Sequence, residues 1–188
     1  MVEDLRKVIY NQHDIVCNQN YGDSLPYSFH LKAVESQGEK FIKLIIEGDV
    51  FNTGNIFSKG VSCRDVVRLS LTGHDLQEDG RMSYKDIKGL ASKLGNSLAG
   101  EMVADIIYCV TDEKGKNRQE RKSEKYYAEL KENRLAIFVK LADISANTLY
   151  SKLTDSSMYR KYKSEFPKFK EVCYVEEYSE FFEYVQSL

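Results

Sequence analysis

Residues 62–79 read SCRDVVRLSLTGHDLQED, and this stretch carries the clearest structural signal in the chain. Ser62 and Asp65 have the spacing of a helix capping box, with Asp in place of the usual Glu or Gln. The apolar run Val66–Leu71 then predicts a buried helix that continues toward His74. The stretch therefore predicts a core helix whose far end carries polar, chemically active side chains.

The rest of the chain repeats the helical pattern, because apolar residues recur mostly at intervals of three and four and only two prolines occur. We expect an all-α fold, with further helices over residues 2–20, 29–47, 83–94, 97–110, 118–130, 134–150 and 175–188. The exception is residues 48–60, where three glycines and alternating apolar residues predict a surface loop or a short β-hairpin. We expect the aromatic side of the last helix to dock on the bundle.

Composition limits the class of protein. The 188 residues are 42% hydrophobic and 30% charged, which is enough apolar material for one core, so we expect a single domain over residues 1–188. A net charge of −2 without an extended basic run argues against a protein that coats nucleic acid. No apolar run approaches the roughly 18–20 residues of a membrane span, and four dispersed cysteines form no C-x-x-C pair. We expect a cytoplasmic protein without a membrane partner.

An imidazole and three carboxylates are concentrated in residues 74–79. On a helix, Asp75, Glu78 and Asp79 would share one face. Three neighbouring negative charges repel one another unless a cation lies among them, so the window suggests a divalent metal site. The competing interpretation is an acidic, solvated helix end.

Two distant segments add ligand candidates. His30 stands near the start of a predicted helix, and Asp143 lies in a mostly apolar one, where an unpaired carboxylate would be costly. Together with His74 and Asp75 they form a set of two imidazoles and two carboxylates, which suits Mn²⁺, Fe²⁺ or Zn²⁺ more than Ca²⁺. The spacing alone does not bring these four residues together.

The order of these residues resembles the HD phosphohydrolase superfamily. Within it, the chain is similar to the hydrolase domain of RelA/SpoT proteins and to small alarmone hydrolases of the metazoan SpoT homologue type. Five ordered blocks between about residues 25 and 150 carry the likeness: LPYSFH (25–30), HDLQED (74–79), VTDEK (110–114), ERK (120–122) and VKLAD with Asn147 four residues later (139–147).

This resemblance implies a compact HD-domain helical bundle that holds one metal ion, usually Mn²⁺. The activity it implies is removal of the 3′-pyrophosphate of ppGpp or pppGpp by hydrolysis, although some relatives act on NADPH. By motif, the metal ligands would be His30, His74, Asp75 and Asp143. Glu78 and Asp79 would position and deprotonate the attacking water.

The resemblance also implies contacts with the nucleotide substrate, from Asn147 and Lys114. Tyr178 would approach the substrate or, alternatively, pack in an aromatic core, and Arg121 and Lys122 would line the pocket mouth, pair with acids or face solvent.

One departure leaves the substrate open. The basic pair that usually precedes the Pro-Tyr block is replaced by Asn20-Tyr21-Gly22-Asp23, in which Tyr21 could stack on a base. The alternatives are another HD phosphohydrolase, acting on NADPH, dNTPs, nucleoside monophosphates or cyclic nucleotides, or a catalytically silent module that binds a nucleotide or a partner.

Two further features are expected to be ordinary surface. His13 lies on a polar helix without a matching partner, and we expect it to face solvent. Residues 157–163 are basic and aromatic, and we expect a helix with a solvated face there rather than a nucleic-acid contact.

Overall fold

A computed structural model describes residues 1–45, 61–112 and 123–188. Within these ranges the chain forms nine α-helices, which confirms the predicted all-α class: α1 (Val2–Asn11), α2 (Tyr27–Phe41), α3 (Cys63–Gly73), α4 (Tyr84–Ala91), α5 (Ser97–Val110), α6 (Glu124–Lys131), α7 (Arg134–Leu153), α8 (Met158–Cys173) and α9 (Ser179–Ser187). Short turns of other helix types extend four of them: Gln12–Val16 is a π-turn, and Ile42–Leu44, Ser92–Leu94 and Glu176–Tyr178 are 3₁₀-turns.

A capping box begins α3, as the sequence predicts, and a second one begins α4. The Ser62 hydroxyl accepts the backbone N–H of Asp65 at 3.1 Å, and the Asp65 carboxylate accepts the Ser62 N–H at 3.1 Å. Ser83 and Asp86 repeat the arrangement at the start of α4. Each box satisfies backbone donors that a helix start otherwise leaves without partners, so these helices begin where polar caps precede apolar runs.

The first helix is shorter than predicted. It ends after the π-turn, because Asn18 adopts a left-handed backbone with φ of 50°. The chain then forms a small antiparallel hairpin from β1 (Asn20–Tyr21) and β2 (Leu25–Pro26). Gly22 turns this hairpin with φ of +60°, and a Cβ there would collide with the Tyr150 hydroxyl, so both backbone and space favour glycine. The hairpin leads directly into α2.

The prediction that His13 faces solvent is wrong. The side chain is fully buried, and its ring stacks on the ring of Tyr27 at a centroid distance of 4.8 Å. His13 lies in the π-turn, where the wider helical turn changes the direction of side chains relative to the periodicity of α1. A regular helical projection therefore places this side chain on the wrong face.

Helix α7 lies at the centre of the bundle, where it packs against α2, α3, α5, α6, α8 and α9. Its buried residues include Phe138, which contacts Phe181 of α9, and Phe181 stacks on Phe41 of α2 at 4.1 Å. The expected docking of the C-terminal aromatic side is thus confirmed. Asp143 is carried by the same central helix, which gives its carboxylate a rigid position.

The loop or hairpin predicted over 48–60 lies outside the described residues, as does the start of the helix predicted over 118–130. Within the described part of the chain, no helix is both long and apolar enough to cross a membrane.

Candidate metal centre

Three elements bring the four predicted ligands to one place. His30 lies in the first turn of α2, just after the hairpin and Pro26. His74 caps the C-terminal end of α3 and is followed directly by Asp75, while Asp143 comes from the middle of α7. The end of one helix, the start of a second and the centre of a third therefore meet.

The nitrogen and oxygen atoms of these residues face one another at close range. Nε2 of His30 and Nε2 of His74 lie 3.2 Å apart, and Oδ2 of Asp75 lies 3.4 Å from the first and 2.9 Å from the second. Oδ1 of Asp143 lies 3.6 Å from His30 Nε2 and 3.7 Å from His74 Nε2. Atoms that share a metal at bond lengths near 2.1 Å are separated by about 3.0 Å in octahedral and about 3.4 Å in tetrahedral geometry. The separations among His30, His74 and Asp75 are of that size, so these three donors fit a divalent ion. Asp143 lies slightly farther from both histidines.

The two histidines are oriented differently. The Nδ1 atom of His74 lies 3.0 Å from the carbonyl oxygen of Leu71, so an Nδ1–H donates there and leaves Nε2 to face the carboxylates. The Nδ1 atom of His30 is buried and has no hydrogen-bond partner among the described residues. The ring of His30 is instead held by stacking on Tyr21, at a centroid distance of 4.6 Å.

Charge in the cluster is strongly coupled. Burial opposes ionisation of His74, but Asp75 and then Asp143 outweigh it and raise its pKa to about 9. Burial also opposes ionisation of Asp75, yet the two imidazoles hold its pKa well below the usual range. In the metal-free protein a proton on His74 Nε2 therefore compensates the carboxylates. A metal ion and this proton would compete for the same nitrogen.

Asp143 is positioned by two polar neighbours, Lys140 and Asn147. Nζ of Lys140 lies 3.0 Å from its Oδ2, and Asn147 donates a short hydrogen bond to its Oδ1. Asn147 in turn accepts the hydroxyl of Tyr21 at 2.8 Å. Despite burial, the ammonium group of Lys140 and the imidazoles lower the pKa of Asp143, so the carboxylate stays ionised. These contacts hold Oδ1 toward the histidines.

The acidic segment after α3 is a series of turns rather than a continued helix. A helical hydrogen bond from the Asp79 N–H to the Asp75 carbonyl oxygen, 2.8 Å long, nevertheless keeps these residues one turn apart. One cavity is lined by Asp75, Glu78 and Asp79. The three carboxylates therefore share a side, as expected, although they do not lie on a continuous helix.

Glu78 and Asp79 have different partners in that cavity. Burial and the negative charge of Asp112 raise the pKa of Glu78 to about 8, and the two carboxyl groups are hydrogen-bonded. Asp79 places Oδ2 2.8 Å from the hydroxyl oxygen of Tyr27, which also lies 2.7 Å from Oδ2 of Asp75. A phenol carries one proton, so it can donate to only one of these oxygens at a time.

The cavity has a volume of about 470 Å³, within the usual range for a site that binds a small molecule. Its lining combines acidic side chains with aromatic ones, several of which come from α6 and α8. Among its described lining residues, six are acidic and only two are lysines: Asp75, Glu78, Asp79, Asp112, Asp143 and Glu165 against Lys140 and Lys161. An anionic substrate would be repelled from such a surface unless a cation were bound, which is a second argument for a metal ion.

Sequence reasoning missed several residues of this site. Lys140 and Asp112 stand inside the blocks that carry the family resemblance, but no role was assigned to them. Lys161 and Tyr162 of α8 line the cavity, although residues 157–163 were expected to be a solvated helix face. An aromatic residue next to a lysine on a helix is too common a pattern to mark a ligand site without tertiary contacts.

Three of the four predicted substrate contacts can be placed. Asn147 and Tyr21 line the cavity, bonded to each other, and Tyr21 already uses one ring face against His30. Tyr178 does not line it: the side chain is buried and contacts Phe138 edge-on at 5.4 Å, which corresponds to the alternative core role. Lys114, like Arg121 and Lys122, lies outside the described residues.

Comparison with known proteins adds no identification. No protein-family model matches the chain, and no curated protein matches its sequence significantly. The described residues form a helical bundle with one small hairpin and a His/Asp cluster that could hold a metal ion: the ligand atoms of His30, His74 and Asp75 lie within 4.8 Å of one another.

Proposed function

We propose that this protein is a divalent-metal-dependent nucleotide phosphohydrolase of the HD type. The observation that carries the proposal is the convergence of His30, His74, Asp75 and Asp143, which come from three separate elements, on one point beside a cavity. An acidic helix end that served only solubility would not need two buried imidazoles within 3.2 Å of each other.

The chemistry requires a water nucleophile and compensation of phosphoryl charge. A divalent ion held by these ligands would lower the pKa of a bound water and stabilise negative charge on the phosphoryl oxygens. Glu78, with a pKa near 8, can give or take a proton close to neutral pH, as a general acid or base must. Asp79 holds the neighbouring position through Tyr27, and Lys140 keeps Asp143 ionised.

The substrate we propose is ppGpp or pppGpp, cleaved at the 3′-pyrophosphate. The ordered sequence blocks support this class, and the cavity is large enough for a nucleotide, with aromatic side chains in its lining that can contact a base. The proposed ion is Mn²⁺, with Fe²⁺ or Zn²⁺ as the alternatives that the same donor set would accept. We place this activity in the cytoplasm, where thiols stay reduced, in keeping with the lack of any disulfide among the four cysteines, all of which are described.

A substrate panel tests the proposal. The purified chain, stripped with chelator and reloaded with Mn²⁺, is incubated with ppGpp, pppGpp, NADPH, dNTPs, nucleoside monophosphates and cyclic nucleotides. Metal-dependent release of pyrophosphate from ppGpp or pppGpp supports the proposed activity. Turnover of another compound in the panel would contradict the proposed substrate but support the proposed reaction class. Binding of a nucleotide without turnover of any compound would favour a catalytically silent binding module.

A further inference from the structure

One phenolic oxygen joins two carboxylates with different roles in the proposed site. The hydroxyl oxygen of Tyr27 lies 2.7 Å from Oδ2 of Asp75 and 2.8 Å from Oδ2 of Asp79. The Asp75 oxygen is the same atom that faces His74 and His30, at 2.9 and 3.4 Å. Tyr27 is therefore a direct link between the ligand cluster and Asp79.

We propose that Tyr27 is a positioning residue that fixes Asp79 beside the ligand oxygen of Asp75, and that the stacked ring of His13 holds the phenol in place. This inference rests on the proposed function, because it assigns a role in the same site.

Asp79 needs such a restraint. It lies in the turn segment between α3 and α4 rather than on a helix, and the cavity beside it is lined by five other carboxylates among the described residues. Repulsion from like charges favours rotation of the Asp79 side chain away from the cluster. A neutral hydroxyl donor shared with Asp75 opposes that rotation without adding charge.

The Tyr27 ring is itself well restrained. The preceding Pro26 limits the backbone, and the Tyr27 N–H donates to the carbonyl oxygen of Gln19 at 3.3 Å. One ring face stacks on His13 with an interplanar angle of 12°, and His30 contacts the ring edge-on at 5.6 Å. The hydroxyl can therefore reach the two carboxylates from only one direction.

No other contact of His13 with the described residues accounts for its burial. Its Nδ1 lies 2.7 Å from Oε1 of Gln19, which sets the plane of the ring, while its buried Nε2 has no partner among the described residues. A buried polar atom without a partner costs stability. The ring face against Tyr27 is the contact that explains why an aromatic side chain occupies this position.

Tyr27→Phe removes only the hydroxyl, and Tyr10→Phe is its matched control. The Tyr10 hydroxyl also donates to a carboxylate at 2.7 Å, that of Glu35, but neither residue lines the cavity. Both variants, with Asp79→Asn and the double variant Tyr27→Phe/Asp79→Asn, are measured for Mn²⁺ affinity by titration, for kcat and KM, and for unfolding in urea.

We expect Tyr27→Phe to lower kcat by about 10–100-fold, the usual effect of removing a residue that orients a metal site, and to weaken Mn²⁺ binding. Tyr10→Phe should keep both values while losing similar stability. In the Asp79→Asn background, loss of the hydroxyl should reduce kcat by less than about threefold further, because the two residues act as one unit.

Turnover and Mn²⁺ binding in Tyr27→Phe equal to those of Tyr10→Phe would overturn the inference, and so would effects of Tyr27→Phe and Asp79→Asn that multiply. His13→Phe, which keeps a ring, should retain more turnover than His13→Ala; equal loss in both would remove His13 from the assignment. A wild-type protein that neither binds Mn²⁺ nor turns over any substrate refutes the proposed function itself, whereas an active wild type with an unaffected Tyr27→Phe refutes only this inference.

Discussion

The Nε2 atoms of His30 and His74 lie 3.2 Å apart although the two residues are 44 positions apart in the chain. Two imidazoles with both Nε2 atoms unprotonated would direct lone pairs at each other at this distance, which is unfavourable unless a proton or a cation lies between them. Asp75 and Asp143 approach the same two nitrogens, so a positive charge at this point would be attracted to both carboxylates.

Ligand and non-ligand variants should separate metal binding from turnover. His74→Ala and Asp75→Ala remove donor atoms, so we expect Mn²⁺ binding and activity to be lost together. Glu78→Gln leaves the four ligands in place and should keep the ion while lowering kcat by about 10²–10⁴-fold, the usual contribution of a general acid or base. Isothermal titration with Mn²⁺ and a turnover assay check both effects. Full metal retention with unchanged turnover in all three variants would contradict the assigned roles.

Binding of the ion should raise stability in a pH-dependent manner. A ligand at 100 times its dissociation constant adds about 2.7 kcal/mol to the free energy of unfolding. Because the ion displaces a proton from His74, whose pKa is about 9, the gain should grow from pH 6 to pH 8. Thermal unfolding with Mn²⁺ and with chelator measures it. The His74→Ala protein is the control, and an equal shift in that variant would show that the ion binds elsewhere.

The metal-free protein should lose stability as pH rises from about 5 to 8. Glu78 has a pKa of about 8 in the folded protein and an ordinary value of 4.5, so the folded state retains a proton that the unfolded chain releases in this window. Deprotonation of His74 adds a further loss of stability between pH 6.5, its ordinary pKa, and about pH 9. The lowered pKa values of Asp75 and Asp143 affect stability at acidic pH. Their stabilising contribution is lost as pH falls below about 4.

Urea denaturation in chelator at successive pH values tests this profile, with Glu78→Gln as the comparison. The variant should show a shallower decline between pH 5 and pH 8, because it has no carboxyl group to ionise. An equal slope in the wild type and in Glu78→Gln over this interval would show that the Glu78 carboxyl is not held protonated.

Lys140 should contribute far more to stability than an exposed lysine with the same ion-pair distance. Its ammonium group lies 3.0 Å from Asp143 with both side chains largely buried, so Lys140→Met removes the ammonium partner of a buried carboxylate at a cost of about 3–5 kcal/mol. Lys88 pairs with Glu101 at 2.9 Å but is much more exposed, and Lys88→Met should cost at most about 1 kcal/mol. Urea unfolding compares the two, and similar costs would mean that Lys140 is not a buried counter-charge.

Much of the fold could be predicted because its signals are local. The boxes at Ser62 and Ser83 and the limits of Ser97–Val110 follow from capping chemistry and apolar periodicity within a few residues. The same local reasoning failed at His13, where a π-turn interrupts the regular periodicity, and at residues 20–26, where a two-residue strand pair is too short to give an alternating pattern. Residue propensities and periodicities describe regular helices and strands, and the geometry of these two segments is irregular.

The identity of the ligand candidates came from residue chemistry and from their resemblance to a known motif, because imidazole and carboxylate donors can be recognised wherever they stand. Their partners could not be recognised in this way. The contacts of Tyr27 with Asp79, Asp112 with Glu78 and Lys140 with Asp143 depend on how helices cross in space. The first two join residues far apart in the chain, and even the third, within one helix, gains its strength from burial. Local patterns therefore indicate which helices form and which side chains can bind a metal, whereas long-range packing determines which charges are compensated and which way each donor points.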